Sequence, residues 1–386
     1  MIPLANETID KQDIDALIKW LKQYPRLTKG SLTPEYEKKW SDMLGCKYSV
    51  FVNSGSSANL LMLYSLIETG ALKRGDQVVV PAVSWSTDLA PVVQLGLEPL
   101  LCDCGLDDLS VDLSQLEQIF SDHRPRALLM VSVLGLVPNM KAVFELCEKY
   151  NVLLLEDACE SLGSEYGGKK IGTFGLMSSF STYFGHHIST IEGGMICTNN
   201  RELYNILKAL RSHGWDRDLD EETQKKLRKE NNVSGFDSLY KFYYFGFNVR
   251  STDLQAFLGI NQLDKLGDII TQRNKNYHIY NEFLKNDFWK PKHYDNRYIS
   301  NFAYPLIHPE RDKIVEALDR AGVENRPLIC GSLGNQPFWK KSYGHIPLNL
   351  ESAMIVDQYG MYLPNNHNLK KEEIEKICDI VNESTV

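Results

Sequence analysis

Four short apolar runs constrain the fold of this chain more than any other feature. SVFVN (49–53), QVVVPA (77–82), ALLMVSV (127–133) and VLLLED (152–157) are continuous rather than alternating. Strands buried on both faces of a parallel sheet have this pattern. Between them lie SANLLMLYSLIETGAL (57–72) and MKAVFELCEKY (140–150), with apolar residues at three- and four-residue spacing. Such alternation predicts an α/β domain in which helices cover a mostly parallel sheet. After residue 200 the pattern shifts to long charged helices. DEETQKKLRKENN (220–232) reads as a solvated excursion and STDLQAFLGINQLDKL (251–266) as a long amphipathic helix. VEALDRAGVE and KKEEIEKICDIVNE, in the tail, read as helices of a small α+β domain. The expected division is a large domain over 1–265 and a small C-terminal domain over 266–386.

Composition narrows the function classes. The 42 basic and 50 acidic side chains give a formal net charge of −8. Nucleic-acid binders draw their affinity from basic residues that neutralise phosphates, so that class is disfavoured. No apolar run reaches the roughly 18–20 residues that span a bilayer. The opening MIPLANETIDKQDID lacks the basic, apolar and small-residue order of a signal peptide. A soluble, cytoplasmic protein is expected. The eight cysteines are scattered, which predicts reduced thiols rather than a disulfide framework. Only Cys102 and Cys104 are close in sequence, and a C-x-C pair without partner ligands reads as structural, with no metal site expected.

Three segments carry candidate chemistry. NSGSSANLLML (53–63) is a strand, a Gly/Ser turn and a helix start. It reads either as an anion site of backbone amides and hydroxyls or as an ordinary N-cap. VLLLEDACES (152–161) puts Glu156, Asp157 and Glu160 at the end of a buried strand, where ligands bind in open α/β sheets. A carboxylate there suits a protonated ring nitrogen, or caps a helix. SFSTYFGHHISTIEGG (179–194) sets His186 and His187 in a polar, glycine-flanked stretch. Histidine changes charge near neutral pH, whereas adjacent residues rarely point at one metal ion, so acid–base chemistry is favoured over zinc.

These segments, with RSHGW (211–215), GFNVRSTDLQA (246–256) and YLPNNHNL (362–369), resemble the pyridoxal-phosphate sugar aminotransferases of fold type I. The resemblance runs from PRLTKGSLTPEYEKKW (25–40) to the final helix. It implies a large sheet domain, a small C-terminal α+β domain, and active sites shared across a homodimer. One departure matters most. Aminotransferases of that family hold the cofactor covalently on a lysine, and with EGG in register His186 occupies its position. Lys169 and Lys170 lie in YGGKKIGTFG, which resembles the turn before this strand. An imidazole cannot hold the cofactor as a stable imine, but it can act as a base. The substitution is similar to that in the 3-dehydratases of 4-keto-6-deoxy nucleotide sugars, which make 3,6-dideoxysugars of the kind found in lipopolysaccharide or capsule. One branch of these carries an iron–sulfur cluster on C-x-C-x-x-C. RSHGWDRDLDEETQ (211–224) contains no cysteine, and such clusters need thiolates. The resemblance therefore points to the cluster-free, GDP-sugar branch.

It also implies roles. Gly55, Ser56, Ser57 and Ser181 cradle the cofactor phosphate, and Asp157 pairs with the ring nitrogen. Trp85, in PAVSWSTD (81–88), stacks on the ring, or is a core tryptophan. Glu160 meets the ring hydroxyl or a water. Asn248 reaches the phosphate across the dimer interface, with His213 and Arg250 as weaker candidates there. Arg326 contacts the nucleotide sugar or forms a surface ion pair. Pyridoxal or pyridoxamine phosphate is bound noncovalently, with glutamate as amino donor, and His186 is the catalytic base. A 4-aminotransferase using another lysine and a non-catalytic sugar-binding protein are the alternatives.

Overall fold

The computed structural model describes residues 1–285 and 289–385. Its apolar runs form the strands β1 (Tyr48–Val52), β2 (Gln77–Pro81), β4 (Ala127–Val131) and β5 (Leu153–Asp157), with β3 (Glu98–Cys102) between the second and third. Two short strands, β6 (Glu165–Tyr166) and β7 (Lys169–Lys170), precede β8 (Met177–Ser181) and β9 (Gly194–Thr198). Seven of these strands make one sheet in the order β1-β9-β8-β5-β4-β2-β3. Strand β9 is antiparallel to both neighbours, and the remaining contacts are parallel. Residue patterning identifies β4 and β5, which bury apolar side chains. It does not identify β8, Met-Ser-Ser-Phe-Ser, which is fully buried although three of its five residues are serine. Two of those hydroxyls donate to interior acceptors, Ser178 to the Gly172 carbonyl and Ser179 to Asn59 Oδ1, which offsets the cost of burying them.

Helices cover the sheet. The one read at 57–72 spans Gly55–Glu68, with Ser54 as N-cap. The one read at 140–150 spans Met140–Tyr150, between an Asn139 cap and Asn151 in the left-handed region. The polar stretch at 220–232 is a helix, Glu221–Glu230, without a buried residue. The amphipathic stretch at 251–266 opens the longest helix, Asp253–Phe283, capped by the reciprocal pair Thr252 and Gln255. Residue 265 lies inside that helix. Strand β10 (Arg297–Tyr298) returns to pair with β6, whereas β11 (Tyr304–Ile307), β12 (Arg326–Pro327) and β13 (Gly360–Leu363) form a separate antiparallel sheet. Helices Arg311–Arg320 and Lys371–Glu383, read in the tail as VEALDRAGVE and KKEEIEKICDIVNE, accompany this second sheet. Among the described residues no helix is long and apolar enough to cross a membrane.

Candidate active site

The carboxyl ends of β1, β4, β5 and β8, with the turn after β2, open onto a cavity of about 470 Å³. Ligand sites of α/β sheets lie in this place, because each strand end delivers its following loop to a common crevice. Strand β1 contributes Ser54, Gly55 and Ser56, β5 contributes Asp157 and Glu160, and β8 contributes Ser181 and His186. Gly55 permits the close approach on the cradle side. A Cβ there would stand 2.8 Å from Cys159 Sγ and 3.0 Å from Ser181 Cβ.

Trp85 is 53 % exposed and lines the cavity, so it is a wall residue rather than part of the core. It is the N-cap of helix Ser86–Gln94, and its amide donates to Asp88 Oδ2 at 3.0 Å. Asp88 in turn faces Asp157 through one shared partner. Asn59 Nδ2 donates to Asp88 Oδ1 at 3.0 Å and to Asp157 Oδ2 at 2.5 Å. The other oxygen of Asp157 accepts the Cys159 amide at 2.8 Å. Burial, reinforced by the charge of Asp157, pushes the Asp88 carboxyl well up, so the pair favours one negative charge rather than two. Glu160 accepts the Leu134 amide at 2.6 Å. Burial pushes it up to about 8, with Asp157 adding to the rise and the Leu134 hydrogen bond opposing it.

The adjacent histidines have different environments. His186 lines the cavity, its ring 5.1 Å from that of Phe302, and its buried Nδ1 has no hydrogen-bond partner. Burial brings its pKa down to about 4, against the pull of Asp157, leaving a neutral imidazole. His187 is wholly buried and points away, with Nε2 at 3.0 Å from the Ser300 carbonyl and 3.1 Å from its hydroxyl. No lysine or arginine lines the cavity among the described residues. Lys169 lies over the Phe174 ring at 4.2 Å, and Lys170 bonds to the Met43 carbonyl.

The remaining expected site residues lie elsewhere in this chain. Ser57 is just behind the cradle, its amide donating to Ser54 Oγ at 3.1 Å. His213, Asn248 and Arg250 do not line the cavity. They belong to a strip beside the end of β1, where Asn248 pairs with Ser212 and Arg250 with Val52. His213 holds φ at +62°, an uncommon conformation for a non-glycine residue. Around them Tyr240, Phe242 and Phe245 are exposed, and Arg217 lies over the Trp215 ring at 4.2 Å. Arg326 is exposed on β12, in register with Tyr362, which lines the cavity. It has no ion pair among the described residues, its Nη1 donating to the Asn325 carbonyl at 2.7 Å.

Sequence patterning missed Asn59, Asp88, Phe302, Ile329 and Tyr362. A signal exists for two of them. Asn59 interrupts the apolar face of its helix, and Asp88 ends a Trp-Ser-Thr-Asp turn of capping-box spacing. Ile329 is held at φ +53° at the cavity wall, a genuine outlier for a β-branched residue.

The chain matches the DegT/DnrJ/EryC1/StrS aminotransferase family over residues 7–382. It belongs to this family. It is 35% identical to the GDP-4-keto-6-deoxy-D-mannose 3-dehydratase of Yersinia pseudotuberculosis over 387 residues, covering 98% of each chain. A solved structure of the Escherichia coli GDP-4-keto-6-deoxy-D-mannose-3-dehydratase with bound hydrated PLP superposes with a TM-score of 0.90, at 33% identity over 99% of both chains. A histidine-to-asparagine variant of GDP-4-keto-6-deoxymannose-3-dehydratase, with bound GDP-perosamine, matches with a TM-score of 0.88 at 33% identity, over 99% of this chain and 100% of that one.

The residues fit the cofactor of this family of enzymes. Phosphate suits the helix start at Gly55, where amides are unpaired by the helix and the dipole favours an anion. A protonated ring nitrogen suits the Asp88–Asp157 pair, which shares its donors with no cation among the described residues.

Proposed function

We propose that this chain is a 3-dehydratase of a GDP-linked 4-keto-6-deoxy sugar, using noncovalently held pyridoxamine phosphate that glutamate regenerates. The net change is balanced: sugar and glutamate give the 3-deoxy-4-keto sugar, 2-oxoglutarate and ammonia. The observation that carries this reading is His186, which stands in the cavity where the family's aminotransferases have a lysine. What the cofactor supplies when bound is a conjugated ring that takes up an electron pair and returns it. Asp157 holds the proton on the ring nitrogen, and Trp85 covers one ring face. Gly55, Ser56, Ser57 and Ser181 hold the phosphate. Glu160, neutral at pH 7 by the upward push of burial, donates a hydrogen bond into the cavity. His186, a free base at that pH, accepts a proton and then delivers it to the departing C3 oxygen, as one imidazole can do in both directions.

Among the described residues the cavity supplies no cation of its own for a nucleoside diphosphate. The strip with His213, Asn248 and Arg250 completes the site of a second copy in a homodimer, and Arg326 meets the nucleotide from β12. Exposed aromatics on that strip support an interface, since contiguous apolar patches mark interaction sites. The enzyme works in the cytoplasm, making a dideoxysugar for a surface polysaccharide, and its eight free cysteines suit that compartment. Division of the chain near residue 265, within helix Asp253–Phe283, separates the cofactor-holding sheet from the smaller one. Incubation with a panel of 4-keto-6-deoxy nucleotide sugars and glutamate tests the reading, and ammonia and 2-oxoglutarate should form together with the GDP-linked member. An amino sugar formed without ammonia would make the chain an aminotransferase. Binding without turnover would make it a sugar-binding protein.

A further inference from the structure

Arg273, on helix Asp253–Phe283, is 2 % exposed. No carboxylate offsets its charge among the described residues, and burial alone acts on it, bringing its pKa down to about 10. A buried cation costs free energy unless it is paired or fully hydrogen-bonded, and Arg273 is held only by carbonyl oxygens. Its Nη1 donates to Asn365 at 2.5 Å, to Phe302 at 2.8 Å and to Asn301 at 3.4 Å, and its Nη2 donates to the carbonyl of His186 at 3.4 Å. Asn365 closes the knot from the other side, donating to the Arg273 carbonyl at 3.2 Å and to that of Asn301 at 3.0 Å. These carbonyls come from three segments that border the cavity, the Phe302 ring lying 5.1 Å from His186 and 6.3 Å from Tyr362. One carries the imidazole, one carries Phe302 against it, and one follows β13, which presents Tyr362 to the cavity.

We propose that Arg273 is the positioning residue for His186, tethering the imidazole, the Phe302 ring and the β13 loop as one unit. This rests on the reading of His186 as the base. The tether fixes where Nδ1 and Nε2 point, a placement the unpartnered Nδ1 does not secure for itself. Arg273 also acts through charge. The ionisable groups around His186 are Asp157, Asp88, Cys159 and Glu160 across the cavity, Tyr183, His187 and Glu192 on its own segment, Tyr362 on β13, and Arg273. Of these, Asp157 favours the imidazolium and Arg273 opposes it. Without Arg273, burial alone is left to oppose the carboxylate pull.

Two variants test this, Arg273→Met and Arg273→Lys. In cofactor-free protein, the ¹³C-histidine NMR titration of His186, assigned by its loss in His186→Asn, should move to higher pH in Arg273→Met and stay low in Arg273→Lys. In the loaded enzyme both should lose kcat, by about 10–100-fold for Arg273→Met, as expected for a displaced reacting group, with KM for the sugar kept. A folded Arg273→Met with wild-type titration and kcat would overturn the proposal. If that variant does not fold, Arg273→Lys decides, and an unchanged kcat there overturns it equally. Failure of the functional reading has a different signature. His186→Asn would stay active, whatever Arg273 does to the imidazole.

Discussion

The cavity floor gathers three carboxyl groups, Asp88, Asp157 and Glu160, around one neutral imidazole. The strip from His213 to Arg250 instead leaves Tyr240, Phe242 and Phe245 in solvent beside Arg217 and Arg250. An acidic pocket suits a protonated ring, yet repels the phosphates of a nucleotide sugar. The strip instead presents exposed rings, with the guanidinium groups of Arg217 and Arg250 at 4.2 and 6.0 Å from the Trp215 ring. On the proposed reading the two surfaces are halves of one shared site, a pairing that variants on either half test.

The sharpest break in this comparison is His186→Asn. Loss of a general base costs about 10²–10⁴-fold, so ammonia release should fall by that order while cofactor absorbance on the protein persists. Next is a mixing test. His186→Asn and Arg250→Ala, each impaired alone, should regain activity when coexpressed, because a mixed dimer holds one site with both intact halves. No recovery above the separate variants would place both halves in one chain's service.

The neighbouring histidine gives a smaller, different effect. His187→Asn removes a ring bonded to Ser300 in a fully buried site, a loss of about 1–3 kcal/mol readable by urea denaturation. The protein that remains folded should keep its kcat. His187 is therefore a fold residue, and a substitution there is no neutral control for His186.

A pH effect follows from Glu160. Its folded pKa of about 8 lies above the ordinary 4.5, so the folded state binds the extra proton between those values and stability falls as pH rises through that window. Glu160→Gln removes this loss, and its Tm relative to wild type should rise from pH 5 to pH 8 in cofactor-free protein. His186 runs in the other direction. With its folded pKa near 4, below the ordinary 6.5, it withdraws stability as pH falls from 6.5 toward 4. The smallest effect is expected at Lys169, which lies on Phe174 away from the cavity. Lys169→Met should leave turnover unchanged, and borohydride should add no pyridoxyl mass to either protein.

Much of this was legible in residue order alone. Runs such as ALLMV and LLLED state their burial on both faces, and Asn139 and Asn151 bracket a helix whose ends match its apolar period. His186 was legible because EGG sets the register of the segment. Strand β8 was not, since serines read as solvent-facing until the acceptors that satisfy them, Gly172 and Asn59, are brought in from elsewhere.

Local sequence thus determined the alternation of strand and helix and the strand end that bears Asp157, because each depends on neighbours within a few residues, whereas the reading of His186 came from resemblance to a family. Tertiary structure alone decided that His187 bonds to Ser300, that Asp88 and Asp157 share Asn59, and that Arg273 reaches carbonyls as far along the chain as His186 and Asn365. Those pairings join residues 29 to 113 positions apart, and hydrogen bonds and burial depend on distance in space, which periodicity along a chain does not encode.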